Sequence, residues 1–375
     1  NLFIAKKIPR IVTFDIMRGF FLIAIVINHL ALFPNFIDWW GMRGYLLVTT
    51  AEGFFLLSGI VLGVVRGAKL IDVPMKKVTK IVLERAWTLY LTHIIMVIAF
   101  TLIGWYIFAG NPNIKYGIME SHSWLQLIWN TVTLQYIYGW ADYLRFYAIF
   151  IALSPIALWL LRRGKWYLVL LASFAVWLFS PLDINAEWRV VELMQPIPWQ
   201  ILFFSGLVIG FHWPDITEWC TARRKVLTQF VAWPVVILAV SLLAWNAFAV
   251  FAYEWVDNAW TREISYRAWE LRMHEFAKEA LPMARIALFF LWFWAAFLII
   301  QRFEKTFVKY TGWLLIPFGT NSLYVYTLHA IIVYFAHIYF QPTGNKLLNL
   351  VVTVSVIALI YAAIRTKFLM KIIPR

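Results

Sequence analysis

One cysteine in 375 residues, Cys220, excludes an internal disulfide and any cluster of thiolate ligands, and the seven histidines are scattered rather than set at metal-ligand spacing. No metal is expected. Charge is also scarce: Asp, Glu, Lys and Arg make up 14% of the chain against 63% hydrophobic residues, and the mean hydropathy is +0.74. So little polar surface cannot cover a water-soluble core, so lipid must solvate the remainder. Glycine/serine linkers, low-complexity tracts and internal repeats are missing too, and residues 1–375 therefore read as one transmembrane domain.

What the chain has is aromatic residues and long apolar runs. Its 22 Trp, 17 Tyr and 31 Phe suit belts at the two membrane interfaces, and some could stack on sugar rings. Ten runs are legible, at about 13–33, 44–65, 86–108, 143–161, 166–180, 198–211, 229–252, 284–301, 312–339 and 346–364. The fifth and sixth are short; the ninth is long, with a break expected at Pro317/Gly319. The expected fold is all-α, a polytopic integral membrane protein of about ten transmembrane helices.

With a cytoplasmic N-terminus, the basic groups at Lys6, Lys7 and Arg10, in the 66–85 loop, and around Arg162, Arg223, Arg302 and Arg365 all fall inside. They hold most of the basic residues, while most acids fall outside, so the positive-inside rule sets the orientation and puts both termini in the cytoplasm. The net charge of +14 then needs no nucleic acid. The first run carries Asp15 and Arg18 and lacks a small-residue cleavage site, so it is expected to stay in the mature protein rather than act as a signal peptide. The larger external pieces are 109–142, 181–197 and 253–283. The last is expected to be an amphipathic helix with Glu270, His274 and Lys278 on one face, either lying on the headgroups or forming a lid over an acceptor site.

The first run, "FDIMRGFFLIAIVINHL", holds Asp15, Arg18, Asn28 and His29. Ionisable groups at mid-span cost roughly 2.5–3.5 kcal/mol each on insertion scales, which marks them as functional until shown otherwise. At ~100° and ~1.5 Å per residue, Arg18 and His29 share a helix face about 16 Å apart, with Asp15 a turn below Arg18. An Arg18–Asp15 couple could be purely structural. Glu52, in the second run, falls at the depth of His29, and a carboxylate beside an imidazole favours proton abstraction. Other polar groups at membrane depth are Ser58; Arg85, Tyr90 and His93; Asp142; Trp199 and Gln200; and Asn321, Tyr324 and His329.

This pattern resembles the membrane-bound acyltransferase-3 superfamily, whose signature is Arg, ten residues, His, met here by Arg18 and His29. "FDIMRGFFLIAIVINHL", "AEGFFLLSGIVLG", "RAWTLYLTHI", "PIPWQILFFSGLVIG" and "FGTNSLYVYTLHAIIV" resemble, in order, the successive blocks of its OpgC branch over nearly the whole chain. "ADYLRFYAIF" stands where that branch has an Asp-x-Leu-Pro-Leu-Tyr type stretch: Asp142 and Tyr147 match, and Arg145 takes the proline position. The resemblance implies a bacterial inner-membrane enzyme that moves an acyl group from a cytoplasmic coenzyme A thioester to a hydroxyl on the other face. OpgC itself is associated with succinylation of osmoregulated periplasmic glucans.

The residues support general-base acyl transfer, with His29 taking the proton of the acceptor hydroxyl and Glu52 orienting it. Asn321, Tyr90 or a backbone N–H would meet the oxyanion. The donor set is Arg18, Asp15, Arg85, Tyr90, His93 and Ser58. Arg18 and Arg85 would meet the phosphates or the pantetheine arm, and Ser58 reads more simply as helix packing. The acceptor set is Asp142, Trp199, Gln200, Asn321 and His329; His329 is either a second functional histidine, by the resemblance, or a buried hydrogen-bonded one. No permanently bound cofactor is expected, only acyl-CoA, most simply succinyl-CoA, as co-substrate. The competing reading is a proton-coupled transporter of a sugar or lipid conjugate with His29 and Glu52 as a relay.

Overall fold

The computed structural model describes residues 8–111, 113, 123–180, 196–278, 280–370 and 373. These form α1 (Val12–Leu30), α2 (Thr50–Leu62), α3 (Met75–Tyr106), α4 (Trp124–Val132), α5 (Asp142–Arg162), α6 (Trp166–Leu178), α7 (Pro196–Phe211), α8 (Trp213–Ala222), α9 (Arg224–Trp255), α10 (Ala259–Met273), α11 (Met283–Arg302), α12 (Glu304–Thr320), α13 (Ser322–Tyr339) and α14 (Lys346–Thr366). There is no strand among the described residues. Among the described residues eight helices are long and apolar enough to cross a membrane, counting α2 through its π-helical extension to Ala68. The two shorter apolar helices, α6 and α7, coincide with the short fifth and sixth runs. Residues 181–195, the greater part of the external 181–197 piece, lie outside the described residues.

The ninth run is one path broken in the middle. Pro317 is accommodated inside α12, and the break comes a turn later at Asn321, where φ −111° and ψ 37° leave the helical region and the side-chain Nδ2 donates to the Pro317 carbonyl at 2.9 Å. Both halves run alongside α1 in the same direction. Thr13 meets Glu304 at 2.7 Å, Asp15 and Gly19 meet Gly319, His29 meets His329, and the carbonyl of Leu30 meets His337. α14 returns antiparallel: near its start Asn349 donates to the carbonyl of Pro34, just beyond α1, and beyond its end the Phe368 carbonyl accepts from Tyr324 at the base of α13.

Small residues set the tightest helix pairs. A Cβ on Gly59 or Gly63 of α2 would collide with the backbone of Phe203 or Leu207, and one on Gly206 or Gly210 of α7 with that of Leu56 or Ile60. Two small-x-x-x-small stripes therefore bring the α2 and α7 backbones into contact, a packing mode that works in lipid, where no hydrophobic force drives helices together. Gly19 and Gly319 do the same where α1 crosses α12. Between these pairs lies an aromatic layer of Phe54, Phe55, Tyr143, Tyr147, Phe150, Trp199, Phe203 and Tyr326, with neighbouring ring centroids 5.4–6.4 Å apart.

Outside the bundle, α10 is capped by Asn258 and Thr261 and rests on α9, with Ser265 donating to the Ala249 carbonyl at 2.8 Å. The helix ends at Met273, so Lys278 does not share a helical face with Glu270 and His274; it lies on the irregular segment that follows.

Candidate active site

The parallel run of α13 beside α1 places two histidines against each other. His29 Nδ1 lies 2.9 Å from His329 Nε2, and His329 Nδ1 lies 2.6 Å from the main-chain carbonyl of Tyr326. A carbonyl only accepts, so His329 Nδ1 carries a proton and donates it. With His329 neutral, its Nε2 accepts from His29 Nδ1–H, which leaves the lone pair of His29 on Nε2. One carbonyl thus determines the tautomer of two rings.

The His29 ring stacks on Trp140, with centroids 4.2 Å apart and planes 20° apart, and Trp140 also meets the edge of His337 at 5.7 Å. Trp140 belongs to the connection between α4 and α5, and three side chains grip that connection by its carbonyls. Arg145 Nη1 donates to Leu134 at 2.8 Å, the Tyr326 hydroxyl to Trp140 at 2.6 Å, and His93 Nδ1 to Ala141 at 3.1 Å. Beside them, burial pushes the Tyr138 phenol well above its ordinary pKa and keeps it neutral. The buried Arg145, at the position where a proline was expected, therefore holds the connection that carries Trp140.

Arg18, eleven residues before His29 on α1, lines a cavity of about 330 Å³ together with Arg66, Arg85, Ser58, Tyr143, Tyr147 and Tyr326. Three guanidinium-bearing residues meet in it, and among the described residues no carboxylate is in its lining. Arg18 donates weakly to the Gly319 carbonyl at 3.4 Å and keeps a buried Nε without a partner. Such a set selects an anion, because each charge taken from water needs a counter-charge. Tyr143 and Tyr326 are part of the cavity lining, and the Tyr326 ring lies 4.9 Å from that of His329.

The structure sorts the residues anticipated from the sequence. Arg18, Arg85 and Ser58 share the cavity, although the Ser58 hydroxyl is spent on the Phe54 carbonyl at 2.7 Å. Asp15 is not the partner of Arg18; it pairs with Arg10 at 2.5 Å. Tyr90 donates to the Val132 carbonyl at 2.8 Å, and His93 supports Ala141, so both side chains hold neighbouring backbone. Gln200 exchanges two hydrogen bonds with Ser173, Trp199 packs on Phe55 and Tyr143, and Asn321 caps the break after α12. Asp142 opens α5; its side chain lies outside the described residues.

Glu52 differs most from expectation. Its carboxylate closes the N-terminal capping box of α2 with Thr49, at 3.0 Å from the backbone N–H and 2.5 Å from the hydroxyl, and pairs with Arg285 of α11, whose Nε lies 2.6 Å away. Both side chains of the pair are essentially unexposed. The partner of His29 is His329, not Glu52. Sequence reading also passed over Trp140, Tyr326, His337 and Arg285, and took Arg66 only as part of the basic 66–85 loop. The Thr-x-x-Glu capping pattern at 49–52 and an arginine inside the apolar "MARIALFF" were the signals available for Glu52 and its partner.

A family model described as OpgC protein matches residues 10–372. No curated protein and no solved structure matches the chain.

Proposed function

The chain belongs to the OpgC family, and from that premise we propose that it is a membrane O-acyltransferase that carries an acyl group, succinyl by the family's association, from a cytoplasmic acyl-CoA to a hydroxyl of an extracytoplasmic glucan. Family membership implies an acyltransferase-type enzyme acting on glucans.

The observation that carries it is the chain from the Tyr326 carbonyl through His329 to His29. It supports a general base with a defined lone pair. The acceptor oxygen adds to the thioester carbon while His29 Nε2 takes its proton; the C–S bond then breaks, and the thiolate receives the proton back from the imidazolium. His329 supplies the orienting hydrogen bond that a carboxylate supplies in many triads. As a neutral group it leaves His29 a weaker base than a carboxylate would, which suits a hydroxyl deprotonated only as it attacks.

Arg18, Arg66 and Arg85 support the donor side. They lie inward of His29, next to the basic 66–85 loop, where phosphates of coenzyme A would arrive from the cytoplasm. By helix rise Arg18 is about 16 Å from His29, a span suited to a phosphate-bearing head at one end and a thioester at the other.

The test is purified protein in lipid nanodiscs with succinyl-CoA, acetyl-CoA and a β-glucan, followed by mass spectrometry of the glucan and titration of released thiol. Acylated glucan with stoichiometric thiol is the expected result. Thioester left intact, with the glucan unmodified, contradicts acyl transfer and favours the transport reading.

A further inference from the structure

Attack on a thioester turns its carbonyl oxygen into an oxyanion, and His29 and His329 are committed to moving and orienting a proton. Arg18 stands about 16 Å inward by helix rise. Some other donor must meet the negative charge. Neither of the two side chains first considered fits: Asn321 is bonded to Pro317 and Thr320, and the Tyr90 hydroxyl to Val132.

The external segment after α10 comes down onto this region and is pinned on both sides of one lysine. On one side Arg285 Nη1 donates to the Phe276 carbonyl at 2.6 Å, and Arg285 is itself held by Glu52. On the other, Leu281 N–H donates to the Ala277 carbonyl at 3.2 Å, and Trp177 Nε1 donates to the Leu281 carbonyl at 2.9 Å. Ala277 and Leu281 are buried. Lys278, between these pins, is half-buried, with its Nζ 5.9 Å from the ring centroid of Tyr143, a tyrosine that lines the arginine cavity. The Tyr143 ring in turn lies 6.2 Å from that of Tyr326, which lies 4.9 Å from His329. A lysine on an external loop ordinarily extends into water; this one is held against a tyrosine that lines the arginine cavity.

We propose that Lys278 donates to the oxyanion formed when the acceptor hydroxyl adds to the thioester carbon, and that the buried Glu52–Arg285 pair is the clamp that positions it. The proposal rests on the acyl-transfer reading. As the carbon–oxygen bond forms, the carbonyl π pair moves onto oxygen and the ammonium of Lys278 stabilises it. Collapse restores the carbonyl and expels the thiolate, so Lys278 begins and ends protonated. Glu52, expected beside His29, would then serve the reaction by way of Arg285.

The experiment compares wild type, Lys278→Gln and Lys278→Arg in nanodiscs, measuring kcat, KM for acyl-CoA and for glucan, and thermal unfolding. In Lys278→Gln, kcat should fall ~10²-fold, the usual size for losing one oxyanion donor, with both KM values changed less than about threefold. Lys278→Arg should recover at least about tenfold of that loss, and unfolding temperatures should agree across the three. An unchanged kcat in Lys278→Gln overturns the proposal. So does a loss confined to KM for glucan, which would make Lys278 an acceptor contact, and so does lowered stability with a normal rate per folded molecule. A wild type that leaves the thioester intact overturns the acyl-transfer reading itself, and is distinguishable because no variant is needed to see it.

Discussion

The imidazoles of His29 and His329 share a 2.9 Å hydrogen bond across 300 positions of sequence, because α13 runs parallel to α1 and brings the two rings to one depth. The direction of that bond is dictated by the Tyr326 carbonyl beneath it. On this account His329 matters as an acceptor for His29 Nδ1–H. Replacing it with Gln, whose amide oxygen still accepts, should cost less than about tenfold in kcat, whereas His329→Leu should cost ~10²-fold, with KM for the donor unchanged in both. Equal losses in the two variants, measured per folded molecule, would remove the tautomer argument.

The arginine cavity predicts a loss of a different kind. Arg66→Gln and Arg85→Gln should each raise KM for acyl-CoA about 10- to 100-fold, the worth of one charge-assisted hydrogen bond, while kcat at saturating donor stays within about threefold. Arg18→Lys should keep charge but lose the planar guanidinium, and so fall between wild type and Arg18→Gln. A donor KM unmoved in all three would place the coenzyme elsewhere.

Glu52 and Arg285 are buried and bonded to each other. Glu52→Gln should lower stability by about 3–5 kcal/mol, because it leaves a buried guanidinium uncompensated. Glu52→Gln combined with Arg285→Met should recover most of the lost unfolding temperature, since removing both charges is far cheaper than removing one. If the double variant is no more stable than the single one, the two residues are not a coupled pair.

The passes of the bundle were legible because a continuous apolar run is a strong signal and lipid leaves the backbone little choice but helix. The sequence run at 13–33 is the helix Val12–Leu30, and the short runs at 166–180 and 198–211 are Trp166–Leu178 and Pro196–Phe211. The break in the ninth run was displaced by a turn, because a proline can sit within a helix while the backbone departs from it later. Side-chain partners were harder. Depth along a helix can be estimated from sequence, but which neighbour a face meets depends on packing between distant segments: Glu52, counted to the depth of His29, sits beside Gly53, which packs on Phe21, and its partner is Arg285. Lys278 was read as part of a helix that ends five residues before it, where a charged segment offers no apolar period to mark its end.

The glycine stripes make a prediction about assembly. Gly206→Val places side-chain atoms against the Leu56 carbonyl and should destabilise the α2–α7 pair by about 1–3 kcal/mol, read as a lower unfolding temperature in detergent. Gly344→Val, at an open surface position, should leave it unchanged.

Sidedness is open to a labelling test. In a Cys220→Ser background, cysteines at Lys76, in the first turn of α3, and at Arg262, on exposed α10, should react with membrane-impermeant maleimide from opposite sides of sealed vesicles. Labelling from one side would contradict the alternation of passes on which a two-sided transfer depends.

The most direct measurement is the transfer rate of His29→Ala per folded molecule, with acyl-CoA binding followed on the same preparation. If His29 is the base, folding and donor binding should persist, because Arg18 lies about 16 Å away along α1 by helix rise. Glucan acylation should then fall by ~10²–10⁴-fold. A variant that acylates glucan at the wild-type rate, whatever its stability, would contradict the account.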